Sequence, residues 1–122
     1  MLSALIVDDS ETTRSFIKSL IEDVAEIDVL EASSGFEAFR VLPGRSIDII
    51  FVDINMPDIN GIELINFLKT NDLYKKIPII IISTERSKED MSKGMALGAF
   101  AYLAKPVNPD ELREVTKKAL NL

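Results

Sequence analysis

Pro78-Ile79-Ile80-Ile81-Ile82-Ser83-Thr84 is the stretch on which the fold turns. Four successive isoleucines leave no alternate polar position, so a strand built from them has no face to offer water. Such a strand belongs in the middle of a sheet covered on both sides. It is also far too short to cross a bilayer. Two further apolar runs, Leu5-Ile6-Val7 and Ile47 to Val52, read the same way, and Asp28 to Ala32 and Phe100 to Leu103 are weaker strands. Helical periodicity fills the intervals. Ile17, Leu20, Ile21 and Val24 form one apolar stripe, Phe36 and Phe39 mark a second helix, and Leu64, Ile65 and Leu68 a third. Met91 and Met95 lie on a fourth, opened by Ser87 with Asp90 three residues on and closed by Gly98. Asn108-Pro109-Asp110-Glu111 opens a fifth with a cap, a proline and two acids, and Leu112, Val115 and Ala119 give its buried face. Strands alternating with helices imply parallel pairing and right-handed crossovers. The expected fold is a doubly wound α/β domain with a five-stranded parallel sheet and five helices.

The 122 residues suit one domain, 1–122, able to bury a core without disulfides or a structural metal. Fourteen basic against twenty acidic residues give a net charge of −6, and Cys, His and Trp are absent. Ser-His-Asp and Cys-His catalysis, histidine-ligated metals and dithiol redox chemistry are therefore excluded within the chain. The acidic balance argues against nucleic acid and against an anionic membrane surface. Met1 to Val7 has no basic segment before it and runs into Asp8-Asp9, so it reads as a strand rather than a signal peptide, and the expected compartment is the cytoplasm.

Ligands of such sheets bind beyond the carboxyl ends of the strands. The residues there are Asp8 and Asp9 after strand one, Asp53 after strand three, Ser83 after strand four and Lys105-Pro106 after strand five. Strand two, ending at Ala32-Ser33, offers little. Three carboxylates within about 5 Å of each other repel by roughly 3 kcal/mol per pair at an effective dielectric near 20. A hard cation such as Mg2+ or Mn2+ would relieve that repulsion. Metal, carboxylate, lysine and hydroxyl together suit a phosphoryl group, and without Cys or His an aspartate is the natural nucleophile. Taken singly, each residue has an ordinary reading. Asp8 or Asp9 could be a helix cap, Asp53 a turn residue before Pro57, Ser83 a turn hydroxyl, and Lys105 a solvated lysine. Their joint occurrence at four strand ends outweighs these. No GxGxxG or phosphate-loop pattern is present, which disfavours nucleotide binding.

Four motifs carry a resemblance: Val7-Asp8-Asp9-Ser10, the stretch from Val52 to Leu64, Pro78 to Thr84, and Ala101 to Pro106, with steps of 45, 30 and 22 residues from Asp8 to Asp53, Ser83 and Lys105. Over essentially its whole length the chain resembles the receiver domain of two-component response regulators, of the single-domain chemotaxis (CheY-like) type. The resemblance implies the flavodoxin-like strand order 2-1-3-4-5. It implies that Asp53 accepts a phosphoryl group from a phosphohistidine on a sensor histidine kinase, in a Mg2+-dependent reaction. Asp9, Asp53 and the Asn55 carbonyl would bind the metal directly and Asp8 through water. Ser83 and Lys105 would contact the phosphoryl oxygens, and Ser83 is preferred over Thr84 because it keeps the 22-residue step to Lys105. Tyr102 would move inward with Ser83 as the switch, Asn55 and Glu85 would tune the acyl-phosphate lifetime, and the Lys105-Pro106 bond would be cis. Thr84 stands where the family often has Ala or Gly, which would narrow access for small donors. The domain would be a phosphoacceptor switch that catalyses its own phosphorylation and dephosphorylation rather than a classical enzyme. With no effector domain after Leu122, output would pass to a downstream protein or phosphatase through helix four, strand five and helix five, near Met91, Met95, Tyr102 and Lys105.

Two alternatives share parts of this pattern. A Mg2+-dependent phosphatase or phosphotransferase also forms an aspartyl phosphate, but it needs a general acid two residues after the nucleophile, where this chain has Asn55, and a lid. A flavin module of the same topology needs a Ser/Thr-rich loop after strand one.

Overall fold

A computed structural model describes residues 1–84 and 88–122. The elements follow in strict alternation: β1 (Leu2–Val7), α1 (Glu11–Glu22), β2 (Ile27–Ala32), α2 (Gly35–Val41), β3 (Ile49–Val52), α3 (Gly61–Thr70), β4 (Ile79–Ser83), α4 (Lys88–Ala96), β5 (Ala101–Ala104) and α5 (Pro109–Leu120). All strands pair in parallel, in the order β2-β1-β3-β4-β5. The expected doubly wound sheet and its strand order are both present.

The isoleucine run behaves as its lack of polar positions requires. Ile79 and Ile81 point into a core with Leu5, Val7, Ile50, Val52, Ala38, Leu42, Leu64, Ile65 and Leu68, on the side of α2 and α3. Ile80 and Ile82 point into a second core with Ala4, Ile6, Ile49, Phe51, Ile17, Leu20, Ile21 and Leu112, on the side of α1 and α5. A strand alternates its side chains between faces, so a sheet with helices on both faces demands apolar residues at every position. Each isoleucine so buried is worth about 1.5–3 kcal/mol.

Local signals set the helix starts. Side chains of Ser10, Ser34, Asn60 and Asn108 accept from the amides of Thr13, Glu37, Ile62 and Glu111 respectively, each satisfying a donor that the first helical turn leaves free. Pro109 follows its cap as expected, and Gly98 takes a φ of 107° just beyond α4. The expected Ser87 start of α4 lies outside the described residues.

Several side chains sit differently from the periodic reading. α1 ends at Glu22, so Val24 lies just past it and is half-buried. Phe36 is exposed, while Gly35 and Ala38 are the buried residues of α2. Met91 and Met95 are exposed, and the buried residue of α4 is Gly94. A Cβ at Gly94 would lie 2.4 Å from Ile81 Cδ1, so the helix axis approaches the sheet closely at that point and its methionines stay outside. On α5, Thr116 is fully buried beside Leu112, its hydroxyl donating to the Leu112 carbonyl at 2.7 Å, while Val115 and Ala119 are half-buried.

Candidate functional site at the carboxyl rim of the sheet

The rim residues Asp8, Asp53 and Lys105 are placed by a hydrogen-bond ladder that continues one residue beyond β1, β3 and β5. Asp8 N–H donates to the Ala32 carbonyl at the end of β2, and Asp53 N–H to the Val7 carbonyl at the end of β1, both at 3.0 Å. Lys105 N–H donates to the Ser83 carbonyl at the end of β4 at 2.9 Å. Each charged residue is therefore fixed in height and direction by the neighbouring strand. Three residues far apart in sequence thus arrive at one edge.

Gly61 braces this edge from behind. Its N–H donates to the Ile54 carbonyl at 2.9 Å, and a Cβ there would stand 2.3 Å from the Asp53 carbonyl oxygen and 2.6 Å from the Ile54 Cα. Only glycine lets the start of α3 press against the main chain that carries Asp53.

At the centre, the Lys105 ammonium bridges two buried carboxylates, donating to Asp8 Oδ2 at 2.9 Å and to Asp53 Oδ2 at 3.1 Å. The remaining oxygens are held by turn amides. Asp8 Oδ1 accepts from Ser10 N–H at 2.8 Å and Asp53 Oδ1 from Asn55 N–H at 3.0 Å. The carboxylate oxygens of Asp8, Asp9 and Asp53 come within 4.8 Å of one another, with Asp8 and Asp53 buried and Asp9 exposed to solvent. Burial pushes the Asp8 carboxyl above its ordinary range, against the opposing pull of the Ser10 amide and Lys105. For Lys105, burial works to lower the pKa, but its hydrogen bonds and charge attraction to Asp8 and Asp53 outweigh it, and the net direction is upward. The lysine is held as an ammonium ion.

Among the described residues, the three carboxylates of Asp8, Asp9 and Asp53 face the Lys105 ammonium, an excess of two negative formal charges. The donors are all hard oxygens, with no imidazole or thiolate among them. That set fits a small divalent cation of the Mg2+ class, which accepts one or two carboxylates and keeps further positions for other oxygens.

Ser83 is fully buried at the end of β4, and its Oγ accepts from Asn55 Nδ2 at 3.4 Å, whereas Thr84 is exposed. Tyr102 lies on β5 opposite Ile81, half-buried against the α2–α3 side core. Lys105-Pro106 is a cis peptide. The capping role weighed for Asp8 or Asp9 falls instead to Ser10, and Asp53 holds the following turn through Oδ1 while its Oδ2 accepts from Lys105. Glu85 lies outside the described residues.

Strand two contributes more than its sequence promised. Besides the Ala32 carbonyl, it supplies Glu31, whose Oε1 accepts from Arg14 Nε at 3.0 Å, and Arg14 Nη1 donates to the Asp8 carbonyl at 2.6 Å. Neither Arg14 nor Glu31 stood out, because neither ends an apolar run. The available signal was an acidic residue placed one position before the end of an edge strand.

With the geometry in place, comparison with known proteins gives a consistent result. The family model for the response regulator receiver domain matches residues 4–117. The chain is 36% identical over 114 residues to the chemotaxis protein CheY1 of Helicobacter pylori, covering 93% of this chain and 92% of that protein. It is 35% identical over 111 residues to protein PilG of Pseudomonas aeruginosa, covering 91% of this chain and 82% of that one. The solved structure of the chemotaxis response regulator CheY4 of Vibrio cholerae superposes with a TM-score of 0.88 at 34% identity, covering 98% of this chain and 99% of the other. A fold, a rim of acids and lysine, and a family model spanning nearly every residue agree: the chain belongs to the response regulator receiver domain family.

Proposed function

We propose that the chain acts as a phosphoacceptor switch in two-component signalling, with Asp53 as the acceptor. The observation that carries this reading is the Lys105 ammonium held between Asp8 and Asp53 beside a third carboxylate. An anionic cluster with two buried carboxylates and, among the described residues, one ammonium between them is poorly matched to itself and well matched to a metal ion and a phosphoryl group.

Asp8, Asp9, Asp53 and the Asn55 carbonyl would hold Mg2+, which when bound neutralises charge on the phosphoryl oxygens. An Asp53 carboxylate oxygen forms a bond to phosphorus as the P–N bond of a phosphohistidine breaks. The electron pair returns to the leaving imidazole of a sensor kinase, a residue this chain lacks. Hydrolysis reverses the state, with water attacking phosphorus and inorganic phosphate leaving. Lys105 passes from the Asp53 carboxylate to a phosphoryl oxygen, and the Ser83 hydroxyl donates to another. Tyr102 follows Ser83 inward, which would bias a two-position element. The readout surface would be α4, β5 and α5, where Met91 and Met95 are exposed. Asn55 and Glu85 would tune the lifetime of the phosphorylated state. Residues 1–122 would work as one receiver domain in the cytoplasm, signalling to a downstream protein or phosphatase. No described helix is long and apolar enough to cross a membrane.

Incubation with acetyl phosphate and Mg2+, followed by intact mass measurement, tests the assignment. The wild-type chain gains one phosphoryl group and Asp53→Asn gains none. Equal labelling of the two would refute Asp53 as acceptor, and turnover of ordinary phosphomonoesters would favour a phosphatase instead.

A further inference from the structure

We infer that Arg14, steadied by Glu31, is a positioning residue that sets the direction of the Asp8–Asp9 acidic pair toward the cation. This rests on the Mg2+-dependent reading above and extends it to two residues outside the rim. Arg14 lies in the first turns of α1 and reaches back along the chain. Its Nη1 meets the Asp8 carbonyl at 2.6 Å and its Nε meets Glu31 at 3.0 Å, with only 14% of the side chain exposed. A guanidinium is planar, so donating from two of its edges to two fixed acceptors locks its plane.

The acceptor matters more than the charge. The Asp8 carbonyl belongs to the peptide unit joining Asp8 to Asp9, and that unit is rigid. Holding its oxygen sets the direction in which the Asp9 Cα, and with it the Asp9 carboxylate, leaves the end of β1. Asp8 itself is held by its N–H on Ala32 and its Oδ1 on Ser10, but Asp9 is exposed at the solvent side of the cluster. Glu31 and Ala32 are adjacent, so the end of β2 grips Asp8 at both of its peptide bonds, once directly and once through Arg14. An ordinary surface ion pair between helix and strand would stabilise the chain slightly and have no reason to include that carbonyl.

Calorimetric titration of the full chain with Mg2+ alone, with circular dichroism to establish folding, tests the inference. Arg14→Met is expected to weaken Mg2+ binding about tenfold, in line with the loss of groups that orient metal ligands. Arg14→Lys keeps the charge but replaces the rigid planar fork with a single rotatable ammonium, and it should recover no more than part of the loss seen in Arg14→Met. Glu31 acts through Arg14, so adding Glu31→Gln to Arg14→Met should cost no further affinity. A merely structural pair would lower the unfolding midpoint and leave Mg2+ affinity untouched. Binding by folded Arg14→Met within twofold of wild type overturns the inference, and an additive loss in the double variant overturns the role given to Glu31. If Arg14→Met does not fold, Glu31→Gln carries the test alone: a severalfold loss supports the inference and unchanged affinity overturns it. A wild-type chain that bound no Mg2+ would sink the proposed function and this inference together, whereas normal binding by wild type and variants alike sinks the inference only.

Discussion

At Asp8 burial and ionisation pull against each other. Its carboxyl is pushed upward by burial, so the folded state holds a proton more readily than the unfolded chain does. Between the ordinary value of 3.8 and the raised folded value, the native state binds more protons, and stability falls as pH rises through that window. Urea titrations of the metal-free protein should show this decline just above pH 3.8, and Asp8→Asn should flatten it. Gly61 presents a steric demand instead of an electrostatic one. With a Cβ only 2.3 Å from the Asp53 carbonyl oxygen, Gly61→Ala must shift backbone, at a cost of about 1–3 kcal/mol. A lowered urea midpoint together with slower acetyl phosphate labelling would register both consequences. Asp8, Asp53 and Ser83 were legible because each ends a clear apolar run, and Lys105 because it follows the weaker fifth strand 22 residues after Ser83. Arg14 and Glu31 were not, since their partnership exists only once α1 lies against the end of β2.

Helix α2 shows what an element can borrow from a distant loop. With seven residues it is too short to be stable by itself, and Ser34 caps only one of its first amides. Asp58, from the loop after β3, accepts from Gly35 N–H at 3.2 Å and Phe36 N–H at 2.9 Å. The Phe36 amide is the chief reason that the Asp58 carboxyl sits below its ordinary 3.8. A depressed acid stabilises the fold above its unfolded pKa and loses that contribution as pH falls through its folded value. Asp58→Ala should therefore lower the urea midpoint at neutral pH, with the gap to wild type closing as the solution is acidified below pH 3.8. The same loop explains why Phe36 faces outward: Gly35 is pressed against Ile59, where a Cβ would lie 2.8 Å from the Ile59 Cβ, so the next residue turns away from the core. The periodic pattern could place this helix but not the loop that orients it. On α4, likewise, the pattern marked the methionines, and the packing was set by Gly94.

Across the whole molecule, the two cores and the acidic rim oppose one another. Burial on both faces of the sheet holds the ladder rigid, and the ladder holds like charges together that would separate if free. A cation that binds only the folded chain should recover that cost. At a Mg2+ concentration a hundred times its dissociation constant, the unfolding free energy should rise by about 2.7 kcal/mol, read as a higher urea midpoint. Asp53→Asn should lose most of the increment. The absence of any such response would show that the three carboxylates do not act as one site.

The ladder that runs one step past β1, β3 and β5 also bears on how such a chain can vary. Duplicating a single codon within Ile79–Ile82 would leave the segment just as oily, yet every later side chain in it would exchange one side of the sheet for the other. Ser83 would turn from its place beside Asn55, and the carbonyl that Lys105 leans on would move up by the rise of one residue, about 3.3 Å. Loops at the opposite end of the sheet, around Gly44 to Ser46, carry no such obligation. Drift in length belongs at that end, while the strands keep count for the rim above them.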